Sequence, residues 1–183
     1  MLVFVSAAPA WAQLSATATI STAQTSAPFN YTIQLHNTGT TTIGTLWFAW
    51  IPLGPTYNFL SSQASNITVP TGWTGFSTGT AFGGDGYGIE MYDIGGSGDL
   101  IASGGNATFG FTDSESHTQL MQNANFITSD KVTTSFIYVN SPEGDPGFQF
   151  NVQVVPEPSG MVLAGLGGLA GLTIWRRRRA AAA

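Results

Sequence analysis

The chain has 183 residues and no cysteine, which excludes disulfide frameworks, thiol nucleophiles and cysteine-based zinc sites. Nine carboxylates and one lysine lie between Gln13 and Val155. With one positive and nine negative side chains, this stretch carries a net charge of −8. Because a single cation cannot neutralise a phosphate backbone, nucleic-acid binding is not expected. The length suffices for one domain held together by its own core, with signal segments at the two ends.

The first residues resemble the second half of a secretory signal peptide. Leu2 to Val5 form the end of an apolar stretch, and Ala10 and Ala12 fit the small-x-small rule for cleavage before Gln13. The basic region that normally precedes such a stretch is missing, which predicts that the true start codon lies further upstream. We therefore assign residues 1–12 to a signal-peptide remnant and expect export through the Sec translocon.

Residues 13–154 are predicted to form β-strands, because short apolar runs with a period of two alternate there with turn residues. Tyr31, Ile33 and Leu35 alternate with polar residues, and the run at 43–51 is apolar on both faces, as in a covered central strand. Further strands are predicted at 16–21, 57–60, 67–69, 86–92, 107–112, 132–139 and 148–154. Helical periodicity is confined to one or two turns within 116–125.

This spacing of short strands predicts an all-β fold, either an antiparallel β-sandwich or a jelly-roll-like single domain. The runs near residues 31 and 46 are predicted to pair as a hairpin. In the strand at 148–154, one face is predicted to carry Phe148, Phe150, Val152 and Val154.

The chain changes character after the last predicted strand. The short segment 155–159 carries two prolines, which have no N–H and favour an extended chain, so it is predicted to be an exposed linker. Its residues are Val155, Pro156, Glu157, Pro158 and Ser159. Residues 160–175 carry no charge, but a helix of that length spans about 24 Å, less than the hydrocarbon core of about 30 Å. We predict a transmembrane helix that acts as a temporary anchor.

A run of arginines follows the apolar segment, within the final stretch 176–183: Arg176, Arg177, Arg178 and Arg179. By the positive-inside rule these side chains stay in the cytoplasm, so that the β-domain lies on the other side of the membrane. The prediction is a protein of the cell envelope that crosses the inner membrane once, with a cytoplasmic C-terminus, before any processing.

Val-Pro-Glu-Pro, an apolar Gly/Ala/Leu-rich segment and a terminal arginine run, in this order, resemble the PEP-CTERM sorting signal. In that family the tail is recognised by an exosortase, a membrane enzyme thought to cut near the motif. The family's proteins are exported by Gram-negative bacteria and associate with exopolysaccharide, biofilm or floc material. The resemblance covers residues 155–179 and implies an exosortase partner and a final location at the cell surface or in the extracellular matrix.

This domain lacks residues that the common catalytic arrangements need. His36 is predicted on the polar side of a strand, and His117 lies near Asp113 and Glu115 in a segment that is interpreted as a solvated loop, with a weak cation site as the alternative. Glu90 is predicted on the outer face of its strand, where it would be an ordinary surface residue. We therefore expect no enzyme.

Calcium is the metal that the sequence favours most. Asp85, Asp93 and Asp99 lie in glycine-rich segments that place hard oxygen ligands on a flexible backbone. The alternative is that these are acidic hairpin loops, whose charge keeps the domain soluble. No other cofactor is predicted.

Exposed aromatic rings suggest carbohydrate binding, since sugar rings stack on them. Trp73 is the most plausible glycan platform, with the alternative that it caps one end of the sandwich. Trp47 and Trp50 are predicted on opposite faces of one strand. Two hypotheses for function remain: a non-catalytic surface or matrix protein associated with exopolysaccharide, and a carbohydrate-binding module assisted by calcium.

Overall fold

The computed structural model describes residues 12–50, 60–79, 86–96, 98–123, 132–139 and 147–155. The strands within these ranges are β1 (Ala16–Ser21), β2 (Phe29–Asn37), β3 (Thr45–Phe48), β4 (Ser65–Thr68), β5 (Trp73–Ser77), β6 (Ile89–Asp93), β7 (Asn106–Asp113), β8 (Val132–Tyr138) and β9 (Phe148–Val154). One short helix, α1 (His117–Asn123), follows β7 in the described part of the chain. The prediction of a β-rich domain with at most a turn or two of helix near 116–125 is confirmed.

The described strands join into one curled sheet with the order β4-β7-β2-β1-β9-β8-β3-β6-β5. Neighbouring strands are antiparallel except β1 and β9, which are parallel. The edge strands β4 and β5 lie against each other, so that the sheet is nearly closed. Gly75 permits this approach, because a Cβ atom there would lie 2.8 Å from Ile67. The continuous sheet differs in this respect from a sandwich of two separately bonded sheets.

Period-two alternation places the apolar face of each long strand inside the curl. In β2, Phe29, Tyr31, Ile33 and Leu35 are buried, whereas the residues between them are more exposed. Side chains from strands in both halves of the sheet meet in one core. The fully buried ones include Ile20, Ile33, Leu46, Ile89, Met91, Ile137 and Val152. The hydrophobic effect therefore acts on the two halves together.

The predicted hairpin between the runs near residues 31 and 46 is wrong. Strand β2 lies between β1 and β7, and β3 lies between β8 and β6, so three other strands separate them in the sheet. The chain crosses from one half of the sheet to the other immediately after β2. Alternation alone shows that a run forms a strand but carries no information on its partner.

A buried asparagine fixes this crossing. Asn37 is 0 % exposed, and its side-chain amide donates to the backbone oxygens of Thr41 and Ile101, at 2.8 and 2.9 Å. Its Oδ1 accepts a hydrogen bond from the Gly39 N–H. Every part of the amide is therefore bonded to backbone, as a buried polar group requires. The resulting turn directs the chain away from β2 instead of folding it back.

Strand β9 occupies the middle of the sheet although it is the last strand of the described chain. It pairs with β8 on one side and with β1 on the other, where Ala18 and Ile20 face Val152 and Val154. Phe150 and Val152 are buried, which confirms the alternation predicted for this segment. The first and last strands are thus neighbours at the centre of the fold.

Trp47 and Trp50 do not lie on opposite faces of one strand, as the sequence predicted. Strand β3 ends at Phe48, and Ala49 adopts a positive φ of 62°, which interrupts the alternation. The two indole rings consequently lie 4.7 Å apart and pack with Tyr138 in a small cluster separate from the main core.

No helix in the described ranges is long and apolar enough to cross a membrane. The predicted membrane segment 160–175 and the arginine run lie outside those ranges, as do most of the signal remnant and the predicted strand residues 57–59.

The central position of β1 and β9 predicts a large cost for truncating their contact. Ile20→Ala should lower the free energy of unfolding by about 2–5 kcal/mol, because a fully buried isoleucine is lost from the middle of the core. Thr17→Ala, on the exposed face of the same strand, is the matched control and should change it by less than about 0.5 kcal/mol. Urea denaturation of the two variants measures both values, and equal losses would contradict this description of the core.

Candidate functional site

The junction between the fold and the C-terminal tail is the first functional feature. The backbone N–H of Val155 donates to the carbonyl oxygen of Ile20, at 2.9 Å, and extends the pairing of β9 with β1 by one residue. The next residue, Pro156, has no N–H to donate. The rest of the predicted motif lies outside the described residues, namely Pro156, Glu157, Pro158 and Ser159, together with Arg176, Arg177, Arg178 and Arg179. The sorting segment therefore follows a central strand without a spacer.

The chain enters the fold next to the predicted signal-cleavage site. Ala12 and Gln13 are exposed, and Ala10 lies outside the described residues. The Gln13 N–H donates to the Thr40 hydroxyl, and the Gln13 carbonyl accepts from the Thr40 N–H. Glycine is required at position 39, because a Cβ atom there would lie 2.3 Å from the Gln13 oxygen. Among the described residues, hydrogen bonds to the domain thus begin at the residue that is predicted to follow the cut.

Trp73 is a core residue, so the structure does not present it as an exposed platform for sugars. It is 5 % exposed and meets Phe109 edge-on, with 5.3 Å between the ring centres. Its indole N–H donates to the Asp99 backbone oxygen at 2.7 Å. The ring packs beneath the loop that carries Asp99, as in the alternative in which Trp73 caps the end of the domain.

Of the residues predicted to bind calcium, the structure describes Asp93 and Asp99, and both lie beside Gly95. Asp93 is buried and its Oδ1 accepts the N–H of Gly95, whereas Asp99 is exposed and its carboxylate lies over Gly72 and Gly95. Asp85 lies outside the described residues. Within the described part of the chain, no three His, Asp or Glu side chains are grouped as a metal site. Asp93 and Asp99 both form hydrogen bonds within the loop above Trp73, and calcium binding there stays a prediction.

Glu90 lies on the outer face of the sheet, as predicted, but it is only 6 % exposed. Its direct neighbours on the adjacent strands are Trp47 and Phe76. Aromatic side chains from two other strands therefore flank a carboxylate that the sequence indicated as a surface residue. The sequence gives the face on which Glu90 lies, but not the size of the side chains beside it.

A pair of buried carboxylates at the end of β7 is the feature that the sequence interpretation missed. Asp113 and Glu115 are each 3 % exposed, so the interpretation of this segment as a solvated loop is wrong. Asp113 Oδ1 accepts hydrogen bonds from the Ser62 hydroxyl at 2.6 Å and from the Glu115 N–H at 2.8 Å. Glu115 Oε1 accepts from the N–H and the hydroxyl of Ser61. We call this set of residues the carboxylate corner.

Tyr31 connects the carboxylate corner to the core. Its hydroxyl donates to the backbone oxygen of Glu115 at 2.8 Å, and its ring stacks on Phe111. Burial raises the pKa of Tyr31 above its ordinary value, and the charges of Asp113 and Glu115 raise it further. The hydroxyl therefore stays protonated at neutral pH and acts as a fixed donor.

A shallow polar groove of about 520 Å³ lies across β1, β2, β7 and β9. His36 lies in it, with a buried Nδ1 atom that has no hydrogen-bond partner among the described residues. The other polar side chains of the groove are uncharged, namely Thr17, Thr19, Gln34, Asn106, Thr108 and Gln153. The groove offers hydrogen-bond donors and acceptors without an electrostatic preference for a charged ligand.

Residues 154–179 match the family model described as the PEP-CTERM protein-sorting motif. The motif indicates an exosortase-processed protein of the cell surface, with the exosortase as its processing partner. No curated protein matches the chain. Among solved structures, the chain is similar to a GH20 exo-β-N-acetylglucosaminidase from Vibrio harveyi, in complex with N-acetylglucosamine, with 11 % identity and a TM-score of 0.38. The match covers 77 % of this chain and 18 % of that chain, and a likeness this weak carries no argument.

The buried position of Trp73 predicts that its removal will affect stability. Trp73→Ala should cost about 3–5 kcal/mol in free energy of unfolding, because a large core side chain is lost. Trp73→Phe keeps an aromatic ring but loses the hydrogen bond to Asp99, and it should cost less than Trp73→Ala. Chemical denaturation compares them, and a Trp73→Ala variant as stable as the wild type would contradict this placement.

Proposed function

We propose that this chain, which carries a PEP-CTERM sorting motif, is a non-catalytic protein of the extracellular matrix that associates with exopolysaccharide after exosortase processing. The match to the sorting motif at residues 154–179 carries the proposal. The non-catalytic part rests on the residue supply of the chain, which has two histidines and no cysteine. The chain would be held briefly in the inner membrane and then released to the surface.

The position of the junction supports processing beside a folded domain. Residues 156–159 separate β9 from the apolar segment and, when extended, span only about 13 Å. Because β9 is a central strand, it must be on the outer side of the membrane before the sheet can be completed. The enzyme would then cut an extended, proline-containing segment that lies between the domain and the membrane.

The polar surface of the domain supports association with a neutral polysaccharide. The groove across β1, β2, β7 and β9 is lined by hydroxyl and amide side chains and one histidine. Such groups exchange hydrogen bonds with sugar hydroxyls, and neither partner has to lose a charge. A sheet face of this kind fits weak and repeated contacts along a polymer, as a matrix protein requires.

A second candidate function is a carbohydrate-binding module. In such a module the Trp47–Trp50 pair is a better candidate for the sugar contact than the buried Trp73. Trp50 is only half-buried, and its ring packs against that of Trp47 at a tilt of 32°, with 4.7 Å between the ring centres. A half-exposed ring supported by another ring is a suitable surface for stacking a sugar. This function would be favoured if the Trp50→Ala substitution lowered retention of the protein on a polysaccharide and the Thr17→Ala substitution did not.

The sorting proposal predicts a defect when the Pro-Glu-Pro motif is changed. In a host that contains an exosortase, Glu157→Gln should leave uncleaved chain in the membrane fraction and lower the amount in the extracellular matrix. Asp99→Asn, which likewise converts an acid to an amide but at an exposed position within the domain, is the matched control and should be sorted normally. Immunoblotting of both fractions measures the distribution. The proposal would be contradicted if two variants were both released normally. These are Glu157→Gln and a variant in which Pro156, Glu157 and Pro158 are all replaced by alanine.

A further inference from the structure

The carboxylate corner holds two acidic side chains in a place that water barely reaches. Asp113 and Glu115 are each 3 % exposed, and the Tyr31 hydroxyl donates to the backbone oxygen of Glu115. Removing a carboxylate from water is unfavourable unless a counter-charge or a full set of hydrogen bonds replaces the solvent. Two such groups close together increase this demand, because like charges repel each other.

A separate observation shows where a ligand is missing. Asp113 Oδ2 is fully buried and accepts no hydrogen bond from the described residues, whereas Oδ1 of the same side chain accepts two. Buried carboxylate oxygens normally have a donor or a cation beside them. The hydrogen bonds to Oδ1 fix the orientation of the carboxylate, so that Oδ2 is held in place with its lone pairs unused.

The backbone of Glu115 links the two acidic residues, because its N–H donates to Asp113 Oδ1 and its carbonyl oxygen accepts from the Tyr31 hydroxyl. Both carboxylate charges raise the pKa of the one hydroxyl of Tyr31, and the Glu115 backbone oxygen is hydrogen-bonded to that hydroxyl. Other polar groups that the structure describes at the corner include the hydroxyls of Ser61, Ser62 and Ser114. The set thus consists of hard oxygen atoms, which suit calcium, and it contains none of the soft sulfur ligands that select other metals.

We propose that the carboxylate corner binds one divalent cation of the calcium type, with Asp113 Oδ2 and the Glu115 carboxylate as its charged ligands. The domain as a whole supports this, since nine carboxylates stand against one lysine between Gln13 and Val155. Two carboxylates completed by water define a weak site, in the range of about 10⁻⁴–10⁻³ M that is typical of extracellular modules. The site is a property of the domain and does not depend on sorting of the tail.

Thermal unfolding of the purified full chain in Ca²⁺ and in EDTA tests this site. At a free Ca²⁺ concentration about 100 times the dissociation constant, the melting temperature of the wild type should rise by roughly 5–10 °C over its value in EDTA. Asp113→Asn should lose this rise. It should also melt no lower than the wild type in EDTA, because it removes a buried charge whose Oδ2 atom accepts no hydrogen bond from the described residues. Asp99→Asn, the exposed acid of another loop, should keep the rise in full.

Terbium luminescence provides a second measurement. Its main titration uses the wild-type protein and therefore does not require any variant to fold. Tb³⁺ replaces Ca²⁺ at oxygen sites, and emission excited through Tyr31 requires the ion to lie close to that ring. We expect sensitised emission that saturates at one ion per wild-type chain, falls on addition of Ca²⁺ and weakens in Tyr31→Phe. Glu115→Gln should lower the Ca²⁺ affinity at least tenfold. It can therefore replace Asp113→Asn in the test if that variant does not fold.

Three results would overturn the proposal. The first is an equal melting temperature in Ca²⁺ and EDTA without Tb³⁺ emission, which would mean that no cation binds at the carboxylate corner. The second is a Ca²⁺-dependent rise that survives in both Asp113→Asn and Glu115→Gln. The third is a rise that Asp99→Asn abolishes, which would place the ion in the loop above Trp73. None of these results would affect the sorting proposal.

Discussion

The pairing of β9 with β1 is the contact on which the rest of the molecule depends. These are the first and last strands of the described chain, they are parallel, and they lie in the middle of the nine-strand sheet. Without β9 the sheet separates into two parts, and the core between them loses Phe150 and Val152. The sorting segment begins one residue after this strand. Folding of the domain and exposure of the motif are therefore tied to the same few residues.

The sequence alone predicted the kind of structure but not its connections. Alternation identified β2 and β9 and their buried faces, because period two follows from strand geometry whatever the partner strand. The partner of β2 depends on Asn37, whose amide bonds backbone groups up to 64 residues away and turns the chain toward the other half of the sheet. Such a contact leaves no periodic signal. The positive φ of Ala49, which brings Trp47 and Trp50 together, is equally invisible in the residue pattern.

The candidate sites also include features that the sequence alone could predict and features that it could not. The sorting motif could be read from sequence because its three features are contiguous and depend on composition, and the match at residues 154–179 bears this out. Burial could not be read, because it depends on neighbours that are distant in the chain. For Trp73 the sequence left open an exposed platform or a cap at the end of the sandwich, and the structure covers it with the loop of Asp99. Asp113 and Glu115 were expected in solvent and are enclosed beside Ser61 and Ser62. A short polar stretch after a strand has the same composition in both situations.

The mass of the mature chain, isolated separately from the membrane and from the extracellular matrix of the natural host, tests the central claim most directly. Intact-mass spectrometry locates both ends of the chain in one measurement. We predict that the matrix form ends between Pro156 and Ser159, just beyond the last backbone hydrogen bond at Val155, and lacks the apolar segment and the arginines. A chain that is found only in the membrane fraction and extends to Ala183 would contradict the account.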